Sequence, residues 1–84
     1  MNKINYRTAK KTIQKMSIDQ TFNLWVMDRD DPSCYSIKKT ADGYRIDDDV
    51  YGYHDFKYSN DFFKFLKDLF SNYTQIDLTI GEPL

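Results

Sequence analysis

The sequence is poor in the residue types on which most small catalytic, metal-binding and disulfide-bonded proteins depend. Its 84 residues include one cysteine, one histidine, three glycines and two prolines. Because Cys34 is the only cysteine, no intramolecular disulfide can form, and we expect a reducing, cytoplasmic setting. No apolar run exceeds four residues, so we expect no membrane-spanning helix, and the first six residues do not resemble a secretory signal.

Acidic residues are missing from the first sixteen positions, which hold five cations: Lys3, Arg7, Lys10, Lys11 and Lys15. The rest of the chain carries an excess of six negative charges, so the net charge of -1 conceals two regions of opposite sign. All but one of the acids are aspartates. Separated charges on a small protein are typical of one that contacts a partner through its surface.

Aromatic residues, by contrast, are abundant: seven Tyr, six Phe and one Trp. Each ring removes about 150–250 Å² from water when it is buried, which lets a short chain build a core without disulfides. Intrinsically disordered chains lack such apolar content, so we expect one folded domain over residues 1–84.

The first half of the chain predicts a helix and then a strand. Apolar residues recur at helical spacing over residues 5–16, with Asn5 as a plausible N-cap. Residues 21–28 alternate as a strand, and the polar run 28–33 reads as a turn because Pro32 forces the preceding residue out of the helical region.

A hairpin is predicted from residues 34–39 and 44–48, with its turn at 40–43. Pairing Lys39 with Tyr44 places Ile37 opposite Ile46, and this register puts the apolar residues on one side. The alternative register pairs Thr40 with Tyr44 and suits a bulged turn at the glycine. The apolar pattern favours the first register.

The second half predicts a helix and a final strand. Residues 50–58 fit either a further strand or a loop. Ser59 or Asn60 is the expected N-cap of a helix that ends near Asn72, and residues 75–80 alternate as a strand. The expected fold is therefore α+β, a two-layer domain with two helices on a mostly antiparallel sheet of three to five strands, in the order α-β-β-β-(β)-α-β.

Metal binding and catalysis are not expected. Asp47, Asp49 and Gly52 match the first, third and sixth positions of a calcium-binding EF-hand loop, but Tyr58 stands where the bidentate carboxylate is needed. A nucleophile and base would have to be Cys34 and His54, and we interpret Cys34 as a buried strand residue and His54 as a packed or edge residue. We therefore predict no cofactor, no metal and no enzymatic activity.

Two surfaces are candidates for binding. Carboxylates along a rigid edge can imitate a row of phosphates, and tyrosine is enriched at binding hot spots. The predicted partner-binding residues are Asp30, Asp31, Asp47, Asp48, Asp49, Tyr44, Tyr51 and Tyr53. The alternative is a small nucleic-acid-binding regulator that uses the basic helix, through Arg7, Lys10, Lys11 and Lys15.

The size, the element order, the Asp- and Tyr-rich middle and the ending 74–79 together resemble small phage-encoded anti-CRISPR inhibitors. The resemblance implies that acidic residues occupy the DNA-binding groove of an RNA-guided nuclease; the basic first sixteen residues depart from uniformly acidic DNA mimics. We accordingly expect a monomeric or weakly dimeric, non-enzymatic inhibitor or accessory factor of phage or mobile-element type. Its partner would be a protein, such as a nucleic-acid-binding enzyme with a basic groove, and not a membrane.

Overall fold

Two helices cover one face of an antiparallel sheet in the computed structural model of the chain, which describes residues 2–18, 20–28, 33–48 and 52–81. The helices are α1 (Tyr6–Gln14) and α2 (Ser59–Asn72). The strands are β1 (Asn2–Lys3), β2 (Thr21–Val26), β3 (Ser33–Lys39), β4 (Tyr44–Asp48), β5 (Gly52–Phe56) and β6 (Ile76–Ile80). The α+β class and the predicted element order are confirmed, and residues 52–56 form the strand that the sequence left undecided.

The strands lie in the order β1-β6-β2-β3-β4-β5, and each neighbouring pair is antiparallel. Strands β2 to β5 form a meander, whereas β6 returns from the end of α2 and pairs with β2 on the other side. The two-residue strand β1, which the sequence analysis did not predict, pairs with β6, and the Ile4 N–H donates to the Ile76 carbonyl at 2.8 Å.

The β3–β4 hairpin has the favoured register, with Lys39 opposite Tyr44 and Ile37 opposite Ile46. The Thr40 N–H donates to the Gly43 carbonyl, and the Gly43 N–H donates to Thr40 Oγ1. Gly43 is required for space, because a Cβ there would lie 1.9 Å from the carbonyl oxygen of Phe56 on β5. A turn glycine thus lets the β5 backbone approach the hairpin.

The core fills the space between the sheet and the helices. Alternate strand residues face α1 and α2, and the largest fully buried side chains include Phe62, Ile13, Leu24, Ile37, Ile46 and Leu66. Rings of Phe56, Phe62, Phe63 and Phe65 contact one another, with centroids 5.2–5.6 Å apart. Within the residues described, neither helix has the length and hydropathy needed to cross a membrane.

The helix starts were predicted with mixed success. Asn5 caps α1 as expected, and its side-chain oxygen accepts from the Thr8 N–H at 2.9 Å. For α2 the prediction was wrong: Ser59 is already helical, and the N-cap is Tyr58, whose carbonyl accepts from Asp61 and Phe62. Helix α2 therefore begins with a residue that has no side-chain cap bond.

Candidate functional site

The predicted acidic surface is divided by the alternation of strand β4. Asp47 points to the outer face, the face of the sheet opposite the helices, and it is exposed. Asp48 is the next residue, so it points to the helix side, where it is half-buried. Neighbouring aspartates in a strand therefore cannot contribute to one contact surface.

Tyr44 is not a surface residue, and its predicted role in partner binding is corrected. It shares the helix-facing side of β4 with Ile46, is only 6% exposed, and stacks on Phe62 at 4.5 Å between ring centroids. The Phe63 ring contacts it edge-on at 5.6 Å. Burial raises the pKa of the Tyr44 hydroxyl because it disfavours the phenolate.

Four of the predicted partner-binding residues lie outside the described residues: Asp30, Asp31, Asp49 and Tyr51. Of the predicted set, the structure thus places Asp47 and Tyr53 together on the exposed outer face. These two residues are directly opposite each other in the β4–β5 pairing, and Tyr53 is 60% exposed.

An ion pair that the sequence analysis did not identify completes this site. Arg45 on β4 and Asp55 on β5 are also directly opposite, and two hydrogen bonds join them, Nε to Oδ1 at 2.7 Å and Nη2 to Oδ2 at 3.1 Å. The Arg45 hydrogen bonds lower the pKa of the Asp55 carboxyl and raise that of the guanidinium. The guanidinium carbon also lies 4.3 Å from the centre of the Tyr53 ring.

We call Arg45, Asp47, Tyr53 and Asp55 the outer-face patch. Its arginine is fixed from two sides, by the carboxylate of Asp55 and by the Tyr53 ring, so the tyrosine is held against a planar cation. Because Arg45, Tyr53 and Asp55 hold one another in place, a partner would lose little rotamer entropy in binding these three side chains. The paired register of β4 and β5 would have revealed the Arg45–Asp55 pair, but the sequence left β5 undecided.

The centre of the outer face is polar and largely closed to solvent. Ser36 Oγ donates to Asn23 Oδ1 at 2.9 Å, the Asn23 amide donates to the Gly81 carbonyl, and Trp25 Nε1 donates to Thr79 Oγ1 at 3.0 Å. Asp77 is 6% exposed, and its Oδ1 has no hydrogen-bond partner among the described residues. The accessible part of the outer face is therefore the β4–β5 end together with Lys38 on β3, which is exposed and lies directly opposite Arg45.

The basic residues of the alternative prediction lie in the other layer. Arg7, Lys11 and Lys15 are exposed, and Lys10 is half-buried, with its Nζ 5.4 Å from the centre of the Phe63 ring on α2. Helix α2 adds Lys64 and Lys67, which the sequence analysis did not include. We call Arg7, Lys10, Lys11, Lys15, Lys64 and Lys67 the helix-face basic surface.

The candidate nucleophile and base do not meet. Cys34 is buried on the outer face of β3, whereas His54 shares the opposite face with Ile46, its partner in the β4–β5 pairing. In the described part of the chain, no group of three or more His, Cys, Asp or Glu side chains could hold a metal ion.

Comparison of the sequence and the structure with models of protein families, with curated proteins and with solved structures finds no match. The function of the chain must therefore be inferred from its own residues and their geometry.

Proposed function

We propose that the chain is a non-enzymatic protein-binding module that docks on its partner through the outer-face patch. The observation that carries the proposal is Tyr53, a largely exposed ring held in place by Arg45 and flanked by Asp47 and Asp55. Rigid tyrosines beside ordered charged groups are typical of binding hot spots, because they supply contact area at a small entropic cost.

The charge of the partner follows from the two layers. Helix α1 with its C-cap Lys15 has four cations and no acid, whereas the exposed outer face of β3, β4 and β5 balances Asp47 and Asp55 against Arg45 and Lys38, which lies directly opposite Arg45. A partner with a basic groove would therefore be repelled by the helices, and on the sheet it would meet a neutral surface that offers two carboxylates beside an exposed tyrosine. We propose an inhibitor or accessory factor of phage or mobile-element type, acting in the cytoplasm as a monomer or weak dimer, with a nucleic-acid-binding enzyme as its partner.

The test uses capture from bacterial lysate followed by an inhibition assay. The tagged protein should retain a partner in stoichiometric amount, and it should inhibit DNA cleavage when that partner is a nuclease, including a purified RNA-guided nuclease. The double variant Asp47→Lys, Tyr53→Ala should lose both effects, since it removes the exposed ring and reverses the adjacent charge.

A matched variant controls for charge and for the loss of a tyrosine. Asp61→Lys, Tyr58→Ala changes the same residue types at exposed positions around the start of α2, away from the outer-face patch. It should bind and inhibit like the native protein. Equal loss in both double variants, or no stoichiometric partner at all, would contradict the proposed docking surface.

A further inference from the structure

The helix-face basic surface is produced by the relative rotation of the two helices. Successive residues turn by about 100° around a helix, so Lys67 lies one turn along from Phe63, the residue that contacts Lys10 of α1, whereas Lys64 lies farther around α2 at the rim of the same cleft. The two acids of α2, Asp61 and Asp68, flank Lys64 on the side away from Phe63 and do not line the cleft. Lys10, Lys64 and Lys67 therefore meet at one cleft, although they come from distant parts of the sequence, and Arg7, Lys11 and Lys15 lie at exposed positions on or next to α1.

A cleft of about 360 Å³ between the helices concentrates this charge. Its polar lining comprises Lys10 and Gln14 from α1, and Ser59, Asn60, Lys64 and Lys67 from α2. None of the described residues that line it is acidic. The Tyr6 hydroxyl donates to the Phe63 carbonyl at 3.3 Å, which ties the two helices together at the floor of the cleft.

No salt bridge joins these cations to an acid in the described part of the chain, although Asp61 and Asp68 lie about one turn from Lys64. The ion pair seen there, Arg45 with Asp55, belongs to the sheet. The first turn of α1 carries Arg7 and no acid, so this cation opposes the positive end of the helix dipole, which is locally unfavourable. Three lysines converging on one cleft add mutual repulsion, which an anionic ligand would relieve.

We propose that the helix-face basic surface binds the phosphate backbone of a nucleic acid, with Lys10, Lys64 and Lys67 as the central contacts. An extended row of cations over two helices suits a chain of phosphates better than one isolated anion. A membrane surface is not favoured, because the exposed large apolar side chains of the described residues, Ile18, Tyr53, Tyr58 and Ile80, all lie outside the two helices. The surface lies in the layer opposite the outer-face patch, so its function is independent of protein docking.

The test is the salt dependence of binding to a fluorescently labelled DNA duplex and to the matching single strand, followed by anisotropy. Binding should weaken steeply as salt rises. The variant Lys64→Gln, Lys67→Gln should reduce the slope of log K against log salt by about 1.8 for duplex DNA, or about 1.4 for the single strand, because two phosphate contacts are lost.

The control is Lys38→Gln, Lys57→Gln, which removes the same charge at two exposed positions outside the helices. It should leave the slope close to that of the native protein, and thermal unfolding should show that both variants are folded. The proposal is wrong if both variants reduce the slope equally, if neither form of DNA binds at low salt, or if the protein binds phosphatidylserine vesicles and not DNA.

Discussion

The assignment of Tyr44 to the core and of Tyr53 to the surface predicts opposite consequences for two similar substitutions. Tyr44→Ala removes a ring that is 6% exposed and that contacts Phe62 and Phe63. Tyr53→Ala removes a ring that is 60% exposed and that rests on Arg45. We therefore expect a large loss of unfolding free energy from the first change and a small one from the second.

The expected magnitude follows from the buried area. An aromatic side chain buries about 150–250 Å², and at about 25 cal/mol per Å² the loss of most of that area costs about 3–5 kcal/mol. This is a large fraction of the stability of a domain of this size, which is about 4–13 kcal/mol at typical values per residue. Tyr53→Ala should change the unfolding free energy by about 0.5 kcal/mol or less.

Urea and thermal unfolding followed by circular dichroism measure both variants. Each kcal/mol should shift the melting temperature by about 4–8 °C in a chain of this length, so Tyr44→Ala should melt far below the native protein. Tyr44→Phe is the control, since it keeps the ring and should cost about 1 kcal/mol or less. If Tyr44→Ala and Tyr53→Ala are equally stable, the orientation of β4 described above is wrong.

Two further predictions concern the β4–β5 end of the sheet. Arg45 lowers the pKa of Asp55, so the stability that this ion pair provides is present above the ordinary carboxyl pKa of 3.8 and is lost as the pH falls through the lowered pKa of Asp55. In Arg45→Gln, a carboxyl titration followed by NMR should show the pKa of Asp55 moving back toward 3.8. The pKa of Asp28 is lowered mainly by the Thr74 N–H, so it should stay unchanged in this variant. Gly43→Ala should destabilise by about 1–3 kcal/mol, because its Cβ meets the Phe56 backbone, and Gly52→Ala should cost about 1–2 kcal/mol through its φ of +88°; an unfolding midpoint in urea equal to that of the native protein would contradict the reason given for that variant.

Local patterns predicted most of the fold. The alternation of Ile37 and Ile46 fixed the hairpin register, because only one pairing places both side chains against the helices. The same alternation assigns Tyr44 to the buried side, two residues before Ile46. Tyr44 was assigned to the surface because tyrosine is common at interfaces, although its position in the strand predicts burial.

Other features depend on contacts that no local pattern contains. Strand β5 is exposed along nearly its whole length, so it lacks the alternation of apolar and polar residues that identifies a half-buried strand. The cleft between the helices joins Lys10 to Lys64 and Lys67, which are more than fifty positions away, and only helix packing brings them together. The positive charge of the first sixteen residues can be read from the sequence, but the continuation of that charge onto α2 cannot.

The insertion of β6 beside β2 determines how the sheet can be assembled. The meander from β2 to β5 requires only short connections, whereas pairing Phe22 with Ile80 closes a loop of about two thirds of the chain. Closing so long a loop carries a large entropic cost, so β6 should join late, after the meander has formed. Pulsed hydrogen exchange during refolding should accordingly protect β3 and β4 amides before those of β6, and on the ribosome the sheet stays two strands short until the last segment emerges.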